Sequence, residues 1–134
     1  MKLLTLVLAM ASLSGCTLVD AYLMTKYDPN EYKLITDVRA NSQTFKEHCE
    51  DFATSKVNAN EMAKTTHLFL LYSEHIPRNT EVFNSAKEIN EMAKGLQSSY
   101  SKNDKVSPAF CKIKYETLEK SADKVQTIIG RKPR

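Results

Sequence analysis

Between residues 28 and 130, apolar and small side chains recur at alternating steps of three and four, in four separate runs. That spacing keeps them on one face of an α-helix and cannot keep them on one face of a strand. The first run is Ile35, Val38, Ser42, Phe45, Cys49 and Phe52. The second is Ala59, Met62, Ala63, Thr66, Phe69, Leu70, Ser73 and Ile76. The third is Val82, Ala86, Ile89, Ala93, Leu96 and Tyr100. The fourth is Cys111, Tyr115, Leu118, Ala122, Val125 and Ile129. No strand-type alternation of useful length competes with them. The fold class is therefore all-α.

The helix limits follow from local chemistry. Asp28-Pro29-Asn30-Glu31 predicts a start, with Asp28 as cap, Pro29 at the first helical position and Glu31 completing a capping box. This helix should run to about Thr54. The second should cover about 58–76, ended by Pro77. Asn79 or Thr80 can cap the third. Ser107 caps the fourth, Pro108 fills its first position, and Gly130 stands where a terminating glycine belongs. Four helices joined by short links favour an antiparallel up-down-up-down four-helix bundle. Leu34, Leu68, Leu71 and Ile113 fall outside the stripes and leave self-association open.

The N-terminus has another character. Lys2 precedes an apolar run over 3–13, then Leu13-Ser14-Gly15-Cys16. A positive start, an apolar core and small residues before a cut site make an export leader. The core is too short to span a bilayer. An uncleaved helix over 3–24 would be long enough, but would bury Asp20 and several small polar residues. Leu13-Ser14-Gly15-Cys16 resembles the lipobox of bacterial lipoproteins. The resemblance implies that residues 1–15 are removed as a signal peptide and that Cys16 carries the lipid. It also implies a sorting signal after the cysteine. An Asp there favours inner-membrane retention. Thr17 stands there instead, which points to the outer membrane, facing the periplasm.

On this reading the domains are the signal peptide 1–15, a lipidated tether 16–27, the bundle 28–130 and a basic tail 131–134. Three cysteines are an awkward number for an exported chain. Lipidation of Cys16 leaves Cys49 and Cys111, which should pair in an oxidising compartment. The bundle agrees independently. Cys49 near the end of the first helix and Cys111 near the start of the fourth share one pole, on neighbouring helices. The tether and the tail share the other pole. Arg131, Lys132 and Arg134 are therefore candidate contacts with anionic headgroups; a solvated tail is the alternative. Leu18, Val19, Tyr22, Leu23, Met24 and Tyr27 make the tether apolar. It could lie in the membrane interface or pack back on the bundle.

The chain carries a formal net charge of +3, and loses one positive charge with Lys2. Its basic and acidic residues are interleaved, which excludes a nucleic-acid signature. His48, His67 and His75 form no metal-ligand spacing, and neither Glu-x-x-His nor Cys-x-x-Cys-His occurs. There is no nucleophile elbow and no glycine-rich phosphate loop. The carboxylates Glu47, Glu50 and Asp51, and Glu88 with Glu91, are placed as wet helix faces. No catalytic residue, metal or cofactor is expected. Tyr72, Tyr100, Phe110 and Tyr115 are expected mainly in the core. The polar loop 101–106 is the most exposed candidate for a partner at the cysteine pole.

Val19-Asp20-Ala21-Tyr22, Tyr27-Asp28-Pro29-Asn30-Glu31-Tyr32, Asn103-Asp104-Lys105-Val106-Ser107, Phe110-Cys111-Lys112 and the ending Gly130-Arg131-Lys132-Pro133-Arg134 resemble small lipoproteins encoded by tailed bacteriophages. The resemblance transfers no residue role. It implies either exclusion of a second phage, at a receptor or channel, or lysis as an outer spanin. Outer spanins tend to be short and proline-rich, unlike this chain with its four prolines. The leading expectation is a non-enzymatic, lipid-anchored interaction module with an envelope protein partner. The alternatives are a structural envelope lipoprotein that binds peptidoglycan or a membrane assembly, and an inhibitor or immunity protein of a periplasmic enzyme.

Overall fold

A computed structural model describes residues 25–103 and 105–134. The leader, Cys16 and the tether up to residue 24 lie outside the described residues. The rest forms four antiparallel helices: α1 (Pro29–Lys46), α2 (Phe52–Glu74), α3 (Thr80–Lys102) and α4 (Pro108–Gly130). Short links force each helix to double back on the one before. α1 lies most closely on α4, and α2 on α3. The α1–α2 and α3–α4 seams are more open. The bundle is thus two tight pairs laid side by side.

The stripes are buried as their spacing predicts. All six stripe residues of α3, and all six of α4, are in the core. Ala59, Ala63, Ala86 and Ala93 are buried on α2 and α3, and such small side chains permit a close helix approach. Thr66 and Asn90 also meet inside this pair, with Thr66 Oγ1 3.2 Å from Asn90 Oδ1. The α1–α4 seam is laced by polar side chains along its outer edge. Gln126 donates to Thr36 at 2.9 Å, Arg39 pairs with Asp123 at 3.0 Å, and Gln43 donates to Glu119 at 2.8 Å. Such exposed pairs each contribute little stability, between about 0 and 1 kcal/mol.

Two predicted N-terminal caps form. Asp28 accepts from the backbone N–H groups of Asn30 and Glu31, at 2.8 and 2.9 Å. Ser107 accepts from Phe110 N–H at 3.1 Å, with Pro108 next in line.

Other local expectations are corrected. The first helix stops at Lys46 and does not reach Thr54. Residues 47–49 tighten into turns bonded three residues back, and Asp51 then caps α2 by accepting from Thr54 N–H at 2.9 Å. Cys49 therefore sits in a turn, and Phe52 opens α2. Gly130 ends α4 inside right-handed helical space, since no described glycine has positive φ. The left-handed residue is Arg78, at φ 59°, in the link from α2 to α3. Glu31 makes no capping box. It is buried, and its carboxylate accepts from Asn79 and Lys132.

Candidate functional site

The two poles of the bundle are built differently. At the first, Cys49 and Cys111 form a disulfide with their Cα atoms 5.7 Å apart. It ties the turn after α1 to the first turns of α4. Aromatic pairs fill the layer behind it: Phe45 meets Tyr115 edge-on at 5.9 Å, and Phe52 meets Tyr100 at 5.4 Å. Burial pushes the phenols of both Tyr100 and Tyr115 up from their ordinary value. Nearby, Lys112 pairs with Glu50 at 2.7 Å, and that hydrogen bond holds the ammonium above its usual range.

The opposite pole ends in a polar layer. Three of the stripes, extended one more step, land on a polar residue: Glu31 before Ile35, Asn79 before Val82, and Lys132 after Ile129; the second contributes its own Ser73. All four are buried. Lys132 Nζ donates to Glu31 Oε2 and to Asn79 Oδ1, both at 2.7 Å. Asn79 Nδ2 donates in turn to Glu31 Oε1 and to the Ser73 carbonyl. A buried charge is tolerable only when it is paired and hydrogen-bonded, and this closed set achieves that. Asn79 consequently spends its side chain on the layer and gives α3 no side-chain cap.

The same pole fastens both ends of the described chain. Tyr27 N–H donates to the Pro133 carbonyl at 2.9 Å, and Thr25 Oγ1 donates to the Pro77 carbonyl at 2.9 Å. The Arg134 guanidinium lies 5.0 Å from the Tyr27 ring centroid. The Tyr72 hydroxyl sits 3.1 Å from both Asp28 carboxylate oxygens and donates to them.

This arrangement corrects the basic tail. Lys132 is turned inward, and its ammonium is committed to Glu31 and Asn79, so it is unavailable to a headgroup. Arg131 and Arg134 are exposed at that pole. Tyr100 and Tyr115 are in the core as expected, but Tyr72 is only half-buried and Phe110 lies exposed beneath the Lys114 ammonium. Sequence reasoning missed the polar layer, although the stripe phase carried the signal. His48, His67 and His75 are all exposed, and no group of His, Cys, Asp or Glu suited to a metal occurs among the described residues. The expected loop 101–106 is shorter, because its first two residues complete α3, and Asp104 within it lies outside the described residues.

Shallow grooves mark the surface; the one between α1 and α2, of about 340 Å³, is lined by Leu34 and Leu68 with the charged Asp37, Glu61 and Lys64. A second, of about 210 Å³, runs between α3 and α4 over Ile89, Met92, Val125 and Ile128. Another, of about 560 Å³, is lined by Asp28, Leu68, Leu71, Tyr72, His75, Ile76 and Pro77. Among the described residues no helix is long and apolar enough to cross a membrane. Comparison with protein-family models, curated proteins and solved structures finds no match to this chain.

Proposed function

We propose that this chain is a lipid-anchored protein of the bacterial cell envelope, held through Cys16, whose bundle is a non-enzymatic module for binding an envelope protein. The observation that carries this is the Cys49–Cys111 bond. Structural disulfides persist in oxidising compartments, and an export leader delivers a chain to one. The bond also leaves Cys16, inside the lipobox-like segment, as the remaining cysteine. The bundle is stapled at one pole and has Thr25 and the C-terminal residues at the other, a suitable form for a domain tethered by its N-terminus.

Thr17 after the lipidated cysteine favours the outer membrane, with the domain facing the periplasm. The phage-like segments favour exclusion of a second phage, by occupying a receptor or channel. The binding surface would be the outer helix faces, since the core is filled and the described grooves are open and shallow.

The decisive experiment is an intact mass of membrane-fraction protein, without reductant. The expected species is residues 16–134 with a diacylglyceryl group and an N-acyl chain, less two hydrogens for the disulfide. An uncleaved, unmodified chain sinks the proposal. Replacing Cys16→Ser should release the protein from the membrane fraction. Cross-linking in intact envelopes should then capture one protein partner, whereas co-sedimentation with purified sacculi would assign the module to peptidoglycan instead.

A further inference from the structure

We infer that the apolar ledge at the Thr25 end of the α1–α2 seam is a second membrane contact, which lays one side of the bundle against the lipid surface; the inference rests on the lipid-anchor reading above. Leu68 and Leu71 are 54% and 43% exposed although the core stripe of α2 lies on its other face. They share one groove with Tyr72, Ile76 and Pro77, and the titratable side chains lining it are Asp28, Tyr72 and His75. Both acidic and phenolic groups are satisfied there, because the Tyr72 hydroxyl donates to Asp28. Beside the His75 imidazole, what the groove offers a partner is hydrocarbon.

Its place in the fold selects the partner. Thr25, bonded to Pro77 at the foot of the ledge, is nine residues from Cys16 in the sequence. That length of chain spans at most about 30 Å. Leu68 lies about 14 Å along the helix from Pro77. The whole ledge is therefore within reach of a bilayer that holds Cys16. At the same pole Lys26, Arg78, Arg131 and Arg134 are exposed against the carboxylates Glu74 and Glu81, an excess of positive charge that suits anionic headgroups. An apolar edge beside exposed cations is the composition of an interfacial contact. The exposed apolar residues Val57 and Ile113 belong to the opposite half of the bundle, towards the disulfide, and supply controls.

The chain has no tryptophan, so a single introduced indole reports its own surroundings. Full-length Leu71→Trp protein and a Val57→Trp control, each purified from membranes, would be reconstituted into phosphatidylethanolamine–phosphatidylglycerol vesicles with brominated acyl chains. Circular dichroism confirms that both remain helical. The expected result is at least threefold stronger quenching at position 71 than at 57, with a blue-shifted emission at 71. Equal or absent quenching at 71 overturns the proposal. So does a blue shift at 71 in lipid-free detergent that grows with protein concentration, which would assign the ledge to a second copy of the chain. The intact mass of the same samples separates the two claims. Acylated Cys16 without quenching at 71 refutes the ledge and leaves the anchor standing. Unmodified Cys16 refutes the anchor, and quenching at 71 in those vesicles then upholds the ledge alone while its absence refutes both.

Discussion

Lys132 Nζ and Glu31 Oε2 lie 2.7 Å apart at the end of the bundle core, joining residues 101 positions apart in the sequence. Both side chains are almost wholly removed from solvent. The pair locks the last residues of the chain to the first turn of α1. Such a pair is weak evidence for net stability, because desolvation offsets the attraction. Its consequence is asymmetric: losing one partner strands the other charge in the core.

Replacing Lys132→Met alone, or Glu31→Met alone, should therefore destabilise the bundle by about 3–5 kcal/mol. Replacing Glu31, Asn79 and Lys132 together with Met, Leu and Met should recover most of that loss, since no buried charge is left unpaired. Urea unfolding of the three variants measures this. A single variant as stable as the parent would show that the pair is open to water in solution.

The layer also shows where sequence reasoning reached and where it stopped. The stripes were legible because an apolar residue every three or four positions has one economical explanation. Glu31 was not, because Asp28-Pro29-Asn30-Glu31 fits a capping box equally well, and only the partners brought by α3 and the tail decide between capping and burial. Lys132 failed for a related reason: a basic tail resembles solvated chain until its buried acceptor is known. Cys49 was placed at the right pole but on the wrong element. The stripe runs smoothly through Phe45, Cys49 and Phe52, while the break is set by Asp51, whose carboxylate serves the next helix. The sequence marked the ledge residues Leu68 and Leu71 as lying off the stripes, but their grouping with Pro77 needed the fold.

The disulfide closes a loop between residues 62 positions apart. In the chain-entropy account a loop of that length contributes roughly 4 kcal/mol by restricting the unfolded chain. Guanidinium unfolding with and without reductant, compared with a Cys49→Ala/Cys111→Ala variant, should give that difference. The helical signal should persist in the reduced protein at low denaturant, because the core stripes remain intact. A difference under about 1 kcal/mol would mean that the reduced, unfolded chain already holds these segments together.

Tyr115 carries a buried hydroxyl with no hydrogen-bond partner among the described residues. Burial raises its phenol above the ordinary 10.0, with Tyr100 adding a smaller push in the same direction. The folded state therefore holds this proton more tightly than the unfolded chain does. Its contribution is complete below pH 10 and is lost as pH rises from there towards the higher folded value. Tyr115→Phe should raise stability at neutral pH by about 1 kcal/mol, since it removes an unpaired buried group. It should also flatten the decline above pH 10. Thermal melts from pH 7 to 11 check both effects, and an unchanged alkaline slope would count against the assignment.

Gly95 lies on the exposed side of α3, and a Cβ added there meets no atom within 4 Å. The glycine costs helix stability through backbone entropy and returns nothing in packing. Gly95→Ala should therefore stabilise the bundle by about 0.5–1 kcal/mol, raising the melting temperature by a few degrees. Gly130 makes the internal comparison. It is also helical, but an added Cβ would stand 3.4 Å from Tyr32 Cε2. That is an ordinary contact, and Gly130 is the last residue of its helix, where helix propensity counts for less, so its alanine variant should gain less. Equal gains at the two positions would mean that the added contact with Tyr32 makes up the difference, and a loss at Gly95 would place a partner on that face of α3.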